Sequence, residues 1–232
     1  MIVPIVAAGE SDACTQAEAI AATDADMVEW RADGMGTASQ VGLVALALRL
    51  SAIVAGKPLV FTWRTADEGG LAATDAAYAT LTRAIIDARA AALVDVQIRH
   101  PGAGRLIAAA RAAGVPVIGS WHDVGGTPPA PVIVAALADA EAAGADVAKV
   151  AVTARTPADV ASLLAATRER FAVARIPLMT MAMGAVGLPS RLDGHRYGSQ
   201  ATFASVGPSS APGQPSLDDL RRAWRDEARL DP

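Results

Sequence analysis

The chain has 232 residues, 52% hydrophobic and only 4% aromatic, which is enough apolar material for a sizeable core built mainly from Ala, Val, Leu and Ile. That length suits one large domain or two small ones, and α/β barrels often occupy about this many residues as one domain. The formal net charge of −4 argues against a nucleic-acid or anionic-membrane footprint, so an anionic small molecule would need local arginines instead of a global field.

The chain opens on MIVPIVAAGE, which lacks a basic stretch and whose apolar run is too short for a signal peptide or a membrane span. The expected setting is soluble and cytoplasmic. This run (1–7) is the first of eight β-rich runs. The others are DMVEWRAD (26–33), PLVFTWRT (58–65), LVDVQIR (93–99), VPVIGSWHD (115–123), DVAKVAVT (146–153), IPLMTMAMG (176–184) and ATFASVG (201–207). Several are almost continuously apolar, as befits parallel strands covered on one face and packed inside a barrel on the other. Ala-rich, helix-length stretches separate them, among them 11–24, 74–91 and 129–144. Cys14, the only cysteine, sits in the first of these; it excludes an intrachain disulfide and reads as a small buried residue near a helix start. Thr156 reads as an N-cap with Pro157 at the first helical position and Asp159 at the third, while Gly114 and Gly144 stand where helices should stop.

No linker, charge run or low-complexity block divides the chain, so residues 1–232 are expected to form a single (β/α)8 TIM-barrel domain. An open doubly wound sheet is the alternative, but AAGESD after the first run is not a G-x-G-x-x-G fingerprint. The pattern changes after the seventh run. GAVGLPSRLDGHRYG leaves room only for a short helix, and SSAPGQPS (209–216) follows the eighth run as a Pro/Gly/Ser loop. Both are candidate substrate clamps or a lid.

Polar residues at the C-terminal ends of barrel strands read as functional. The second run carries Glu29 and Arg31, two apart and so on one side of the strand, although an ion pair between them at the rim is an equal reading. The third ends at Arg64, with Glu68 following in TADEGG; the fourth holds Asp95; the fifth ends at His122-Asp123. The sixth holds Lys149, one of only two lysines in an arginine-rich chain; the other, Lys57, reads as a solvated loop residue. The sequence neighbours of Lys149 are Val147, Ala148, Val150 and Ala151, which offer no partner for a buried charge. Desolvation would then lower its pKa and leave a nucleophilic amine able to form a Schiff base. A neutral His122 could act as general base and then general acid. His100 and His195 read as structural. Met181 and Met183, spaced by two, read as core or as an apolar wall against a ring substrate. No His/Cys/carboxylate set has metal-ligand spacing, so no metal is expected.

Taken together, EWRAD (29–33), FTWRTADEGG (61–70), the WHD ending the fifth run, GADVAKVAV (144–152) and the stretch from 180 to 221 with MxMGxxGxxSR and SAPGQ make the chain resemble type I 3-dehydroquinate dehydratases. The resemblance implies a TIM barrel, usually a homodimer, that needs no metal or organic cofactor and dehydrates 3-dehydroquinate to 3-dehydroshikimate in the shikimate route to aromatic amino acids. It implies Lys149 as the lysine that forms an imine with the C3 ketone and His122 as the proton shuttle. Glu68 becomes the carboxylate that tunes the histidine, with Asp95 behind the site. Arg191 becomes the clamp on the substrate carboxylate, with Ser210 and Gln214 in the lid over it; Glu29, Arg31 and Arg64 bind substrate hydroxyls. Three positions depart from the family pattern: Gln97 where an acid is common, Pro4 where some members use serine, and Trp121 where members vary. A class I aldolase on the same barrel, or a paralogue that binds without turnover, are the competing readings. An aldolase for phosphorylated sugars should carry a Gly-rich phosphate site near the last two strands, and this chain has Arg191 and SAPGQ there instead.

Overall fold

The computed structural model describes residues 1–36, 39–70, 75–207 and 213–228. Seven strands form one parallel sheet in strict chain order: β1 (Ile2–Ile5), β2 (Met27–Arg31), β3 (Leu59–Thr62), β4 (Leu93–Gln97), β5 (Val117–Asp123), β6 (Val147–Thr153) and β7 (Leu178–Met183). Between and after them run α1 (Glu10–Ala21), α2 (Gln40–Ile53), α3 (Asp75–Ala88), α4 (Ala103–Ala113), α5 (Ala130–Ala142), α6 (Pro157–Phe171), α7 (Leu188–Leu192) and α8 (Leu217–Ala228). A doubly wound sheet would reverse its strand order partway; this one never does.

The eighth β-rich run does not form a regular strand, yet it closes the ring. Gln200 N–H donates to the Leu178 carbonyl at 2.8 Å on β7, while Ile2 N–H donates to Thr202 O at 2.9 Å and Ala204 N–H to Ile2 O at 3.0 Å on β1. Ser199 explains the broken ladder. Its hydroxyl accepts from Thr180 N–H at 2.9 Å and lies 3.1 Å from the Thr180 carbonyl, so a side chain satisfies β7 backbone groups that a paired strand would otherwise meet. The TIM-barrel expectation therefore holds, with seven laddered strands and an eighth segment bridged to both edges.

Alternation along the strands sorts the core into two shells. Outward residues such as Trp30, Phe61, Val94 and Val150 are fully buried beneath the helices, and Trp30 meets Phe61 edge-to-face at 5.7 Å. Inward residues fill the barrel. Ile2, Val60, Ile118 and Met179 pack together with Met27, Leu93, Val147 and Ala201 toward the N-terminal end of the barrel. The charged side chains lie one step further along the same inward rows. No helix among the described residues is long and apolar enough to cross a membrane.

Helix ends follow local chemistry. The Thr156 hydroxyl accepts from Asp159 N–H, and the Asp159 carboxylate accepts from Thr156 N–H at 2.8 Å, a complete capping box at the start of α6. Gly114 directly after α4 and Gly144 one residue beyond the Ala143 that follows α5 take positive φ (70° and 88°), where a side chain would be strained. Cys14 is buried in α1. Thr156→Ala should cost about 1 kcal/mol, read as a lower denaturant midpoint with unchanged slope.

Candidate active site

Inward residues on alternate strands of a barrel lie in one layer, so β2, β4, β6 and the eighth segment contribute Glu29, Asp95, Lys149 and Phe203 to a common level. The contacts are direct. Lys149 Nζ lies 3.2 Å from Asp95 Oδ2, 3.4 Å from Glu29 Oε1 and 4.8 Å from the centre of the Phe203 ring. This overturns the expectation that Lys149 has nothing to pair with. Its sequence neighbours are apolar because half of them face the helices, and its partners come from strands 54 and 120 residues away.

Arg64, just beyond β3, ties the layer to the rim. Its Nη2 donates to Asp95 Oδ1 at 2.8 Å and its Nη1 to Glu68 Oε2 at 3.0 Å. Burial alone would lower the pKa of this guanidinium, but the carboxylates of Asp95, Glu68 and Glu29 outweigh it and hold the charge firmly. Asp95 shows the reverse balance: burial pushes its carboxyl up, while Arg64, Lys149 and a hydrogen bond from Ser120 bring it below the usual carboxylate range. Ser120 donates to Asp95 Oδ1 at 2.6 Å and accepts from Arg64 at 3.0 Å; Thr62 donates to Glu29 at 2.9 Å.

His122 closes β5 on the same inward row as Ser120. Its Nδ1 lies 2.9 Å from Glu68 Oε2, which also accepts from the His122 backbone N–H at 3.2 Å. Burial holds the imidazole pKa well below the usual histidine value, and the charges of Arg64, Lys149 and Arg31 push it the same way, so the ring is neutral at neutral pH. Wherever Glu68 is ionised it can only accept at Nδ1, which puts the ring proton there and leaves Nε2 as the basic atom. Burial also raises Glu68, to about 7, in spite of the opposing charge of Arg64.

Glu29, Arg64, Glu68, His122 and Lys149 line a cavity of about 220 Å³, together with Arg31, Met181, Met183, Arg191 and Gln214. Glu29 and Arg31 do not pair with each other. Arg31 makes a two-point contact with Asp33, Nε to Oδ1 and Nη2 to Oδ2, both at 2.8 Å. Arg191 from α7 is 3% exposed, and no carboxylate among the described residues pairs with it; its Nη1 meets only Met181 Sδ, at 3.8 Å. Burial without a countercharge lowers its pKa to about 10. A buried cation at the cavity wall, with no carboxylate partner among the described residues, is chemically able to take up an anion from a ligand. Ser210 lies outside the described residues.

Of the departures, Pro4 lines the cavity, Trp121 faces the helices beneath the Arg99 guanidinium at 3.5 Å, and Gln97 sits buried beside Thr65. His100 and His195 keep structural roles, the first stacked on Tyr78 and the second against Trp224. Sequence reading missed Asp33, Thr62, Ser120 and Phe203. Period-two spacing from His122 would have pointed to Ser120, and the two-residue spacing Arg31-x-Asp33 to their contact. Replacing Arg64 by Met should strand Asp95 and Glu68 as buried charges and cost about 3–5 kcal/mol in equilibrium unfolding.

The chain matches the family model described as type I 3-dehydroquinase over residues 1–231. It is 38% identical to the 3-dehydroquinate dehydratase of Listeria monocytogenes over 223 residues, covering 94% of this chain and 88% of that one. Against the enzyme of Shigella dysenteriae it is 38% identical over 226 residues, 95% and 90% of the two chains. The fold superposes on the crystal structure of 3-dehydroquinate dehydratase from Geobacillus kaustophilus with a TM-score of 0.95 at 34% identity, covering 100% and 91% of the chains. For the type I enzyme from Clostridium difficile, whose structure contains covalently modified comenic acid, the TM-score is 0.92 at 31% identity, with 99% and 92% covered. The aldolase alternative finds no support in these likenesses, which extend along nearly the whole chain. The chain belongs to the type I 3-dehydroquinase family of hydro-lyases.

Proposed function

We propose that this chain dehydrates 3-dehydroquinate to 3-dehydroshikimate through a Schiff base on Lys149, in the cytoplasm and as a homodimer, within the shikimate route. The observation that carries the reading is the placement of Lys149 on the cavity wall between two carboxylates, in a cavity that also holds a neutral His122 and a buried Arg191 with no carboxylate partner among the described residues.

Each group then has a task. Arg191 binds the substrate carboxylate, and Gln214 lines the same cavity. Glu29, Arg31 and Arg64 meet the ring hydroxyls, and Met181 and Met183 form the apolar wall that keeps water out. The Lys149 amine adds to the C3 carbonyl; the carbinolamine loses water and leaves an iminium. Asp95 and Glu29 stabilise that cation from positions already set before reaction. The iminium draws electrons from C2, and His122 Nε2 removes the C2 proton. The resulting enamine expels the C1 hydroxyl, which leaves as water after taking a proton from His122. Water then adds to the product imine and restores the free lysine. Glu68 holds His122 Nδ1–H throughout, so the same ring atom takes the proton and returns it.

Borohydride added during turnover should reduce the iminium and leave a stable adduct on the Lys149 peptide, absent in Lys149→Ala. An adduct on Lys57, or none despite turnover, would remove Lys149 from the role. His122→Ala should still form adduct but turn over ~10²–10⁴-fold more slowly. The pH profile follows from Glu68. Its raised pKa means that the carboxylate is lost as pH falls through about 7, so kcat/KM should drop on the acid side. Glu68→Gln, which cannot ionise, should lack that limb; a limb unchanged in the variant assigns the titration elsewhere.

A further inference from the structure

We propose that Gln97 is a positioning residue for proton transfer: acting through Thr65, it holds the turn that carries Glu68 and so keeps the proton of His122 on Nδ1. The inference rests on the proposed role of His122 and extends it to a residue outside the cavity lining.

The connection from Gln97 to His122 runs through three consecutive links. Gln97, at the end of β4, is buried, and its Oε1 accepts from Thr65 N–H at 2.9 Å while its Nε2 donates to Thr65 Oγ1 at 2.8 Å. A backbone N–H can only donate, so the amide orientation is settled by chemistry. Thr65 in turn closes the following turn, its carbonyl accepting from Glu68 N–H at 3.1 Å and Gly70 N–H at 2.8 Å. The turn has no slack. Gly69 sits at φ +83°, and a Cβ at Gly70 would lie 2.0 Å from the Arg64 carbonyl oxygen. Glu68, fixed by that turn, then meets His122 Nδ1 at 2.9 Å. Gln97 is itself anchored, since its N–H donates to the hydroxyl of fully buried Tyr78 at 2.9 Å.

A neutral amide suits this place. Glu68 already faces Arg64, Asp95 and Lys149, and His122 faces Glu68, Arg64, Lys149 and Arg31. Gln97 supplies both halves of the Thr65 clamp, one acceptor and one donor, without adding a further charge to that set. Glutamate can accept from both Thr65 groups once the hydroxyl turns, whereas methionine has the same reach and makes neither bond.

Nitrogen-15 shifts of the His122 ring, read in the ligand-free protein with histidine labelled, report the tautomer directly. In the unmodified chain and in Gln97→Glu, the proton is expected on Nδ1 at a pH well above 7, where Glu68 is a carboxylate. In Gln97→Met, a mixture of tautomers is expected, with kcat lowered about tenfold or more, within the ~10²–10⁴ that acid–base catalysis contributes. KM should stay within about threefold, and borohydride should still trap substrate on Lys149. A single Nδ1 tautomer in Gln97→Met, or a loss in Gln97→Glu equal to that in Gln97→Met, overturns the proposal. If Gln97→Met does not fold, Thr65→Val decides: it drops only the hydroxyl contact and should show the same shift in smaller degree, and an unchanged tautomer there overturns the clamp. Absence of 3-dehydroquinate turnover in the unmodified chain would overturn the proposed function instead, and the tautomer measurement, which needs no substrate, would still judge Gln97.

Discussion

Lys149 between Asp95 and Glu29 is the interaction on which the interior depends. Strands β2, β4 and β6 each place a charged side chain at one level of a closed barrel, and no one of them could stand there alone. Arg64 extends the set by pairing with Asp95 and Glu68, so that buried charge is compensated from the centre of the barrel to its rim. A buried ion set of this kind is poor evidence of stability, because desolvation offsets much of the attraction. What it provides is a fixed electrostatic field around one amine.

The rest of the barrel interior accommodates that field by separating polar from apolar along the strands. Toward the N-terminal end the inward rows are mainly Ile, Val, Met and Leu, packed on one another. Toward the C-terminal end the same rows become Glu29, Arg31, Asp95, Gln97, Ser120, His122 and Lys149. Cation pairing is uneven there. Arg64 and Arg31 are satisfied within the protein, by Asp95 and Glu68 and by Asp33, whereas Arg191 is buried with no carboxylate partner among the described residues. That contrast separates two arginines held by internal carboxylates from one that has none among the described residues.

The placement of Glu68 shows how a backbone device becomes chemistry. Gly69 and Gly70 permit a turn tight enough to return Glu68 toward its own strand end, within reach of both Arg64 and His122. Burial raises the carboxyl toward neutrality and lowers the imidazole, so the pair keeps a neutral base in a cavity walled by cations. Neither shift could be read from TADEGG or WHD alone, because each arises from groups on other strands.

Strand and helix periodicity, caps at Thr156, Gly114 and Gly144, and the family motifs were all legible in the linear chain, because period-two alternation and capping act over a few residues. The motifs also named Lys149, His122, Glu68 and Arg191 as a group. What the linear chain could not disclose was who pairs with whom. Lys149 looked unpartnered because its partners lie on β2 and β4; Glu29 and Arg31 could equally have been a rim pair, but each turns to another residue; Gln97 looked like a departure and is hydrogen-bonded to Thr65. The eighth run looked like a strand, yet the Ser199 side chain takes over part of the pairing. Closure of the barrel decided these matters, since only a ring brings strands far apart in sequence to one level, and only there do charge, burial and hydrogen bonding between them take definite values.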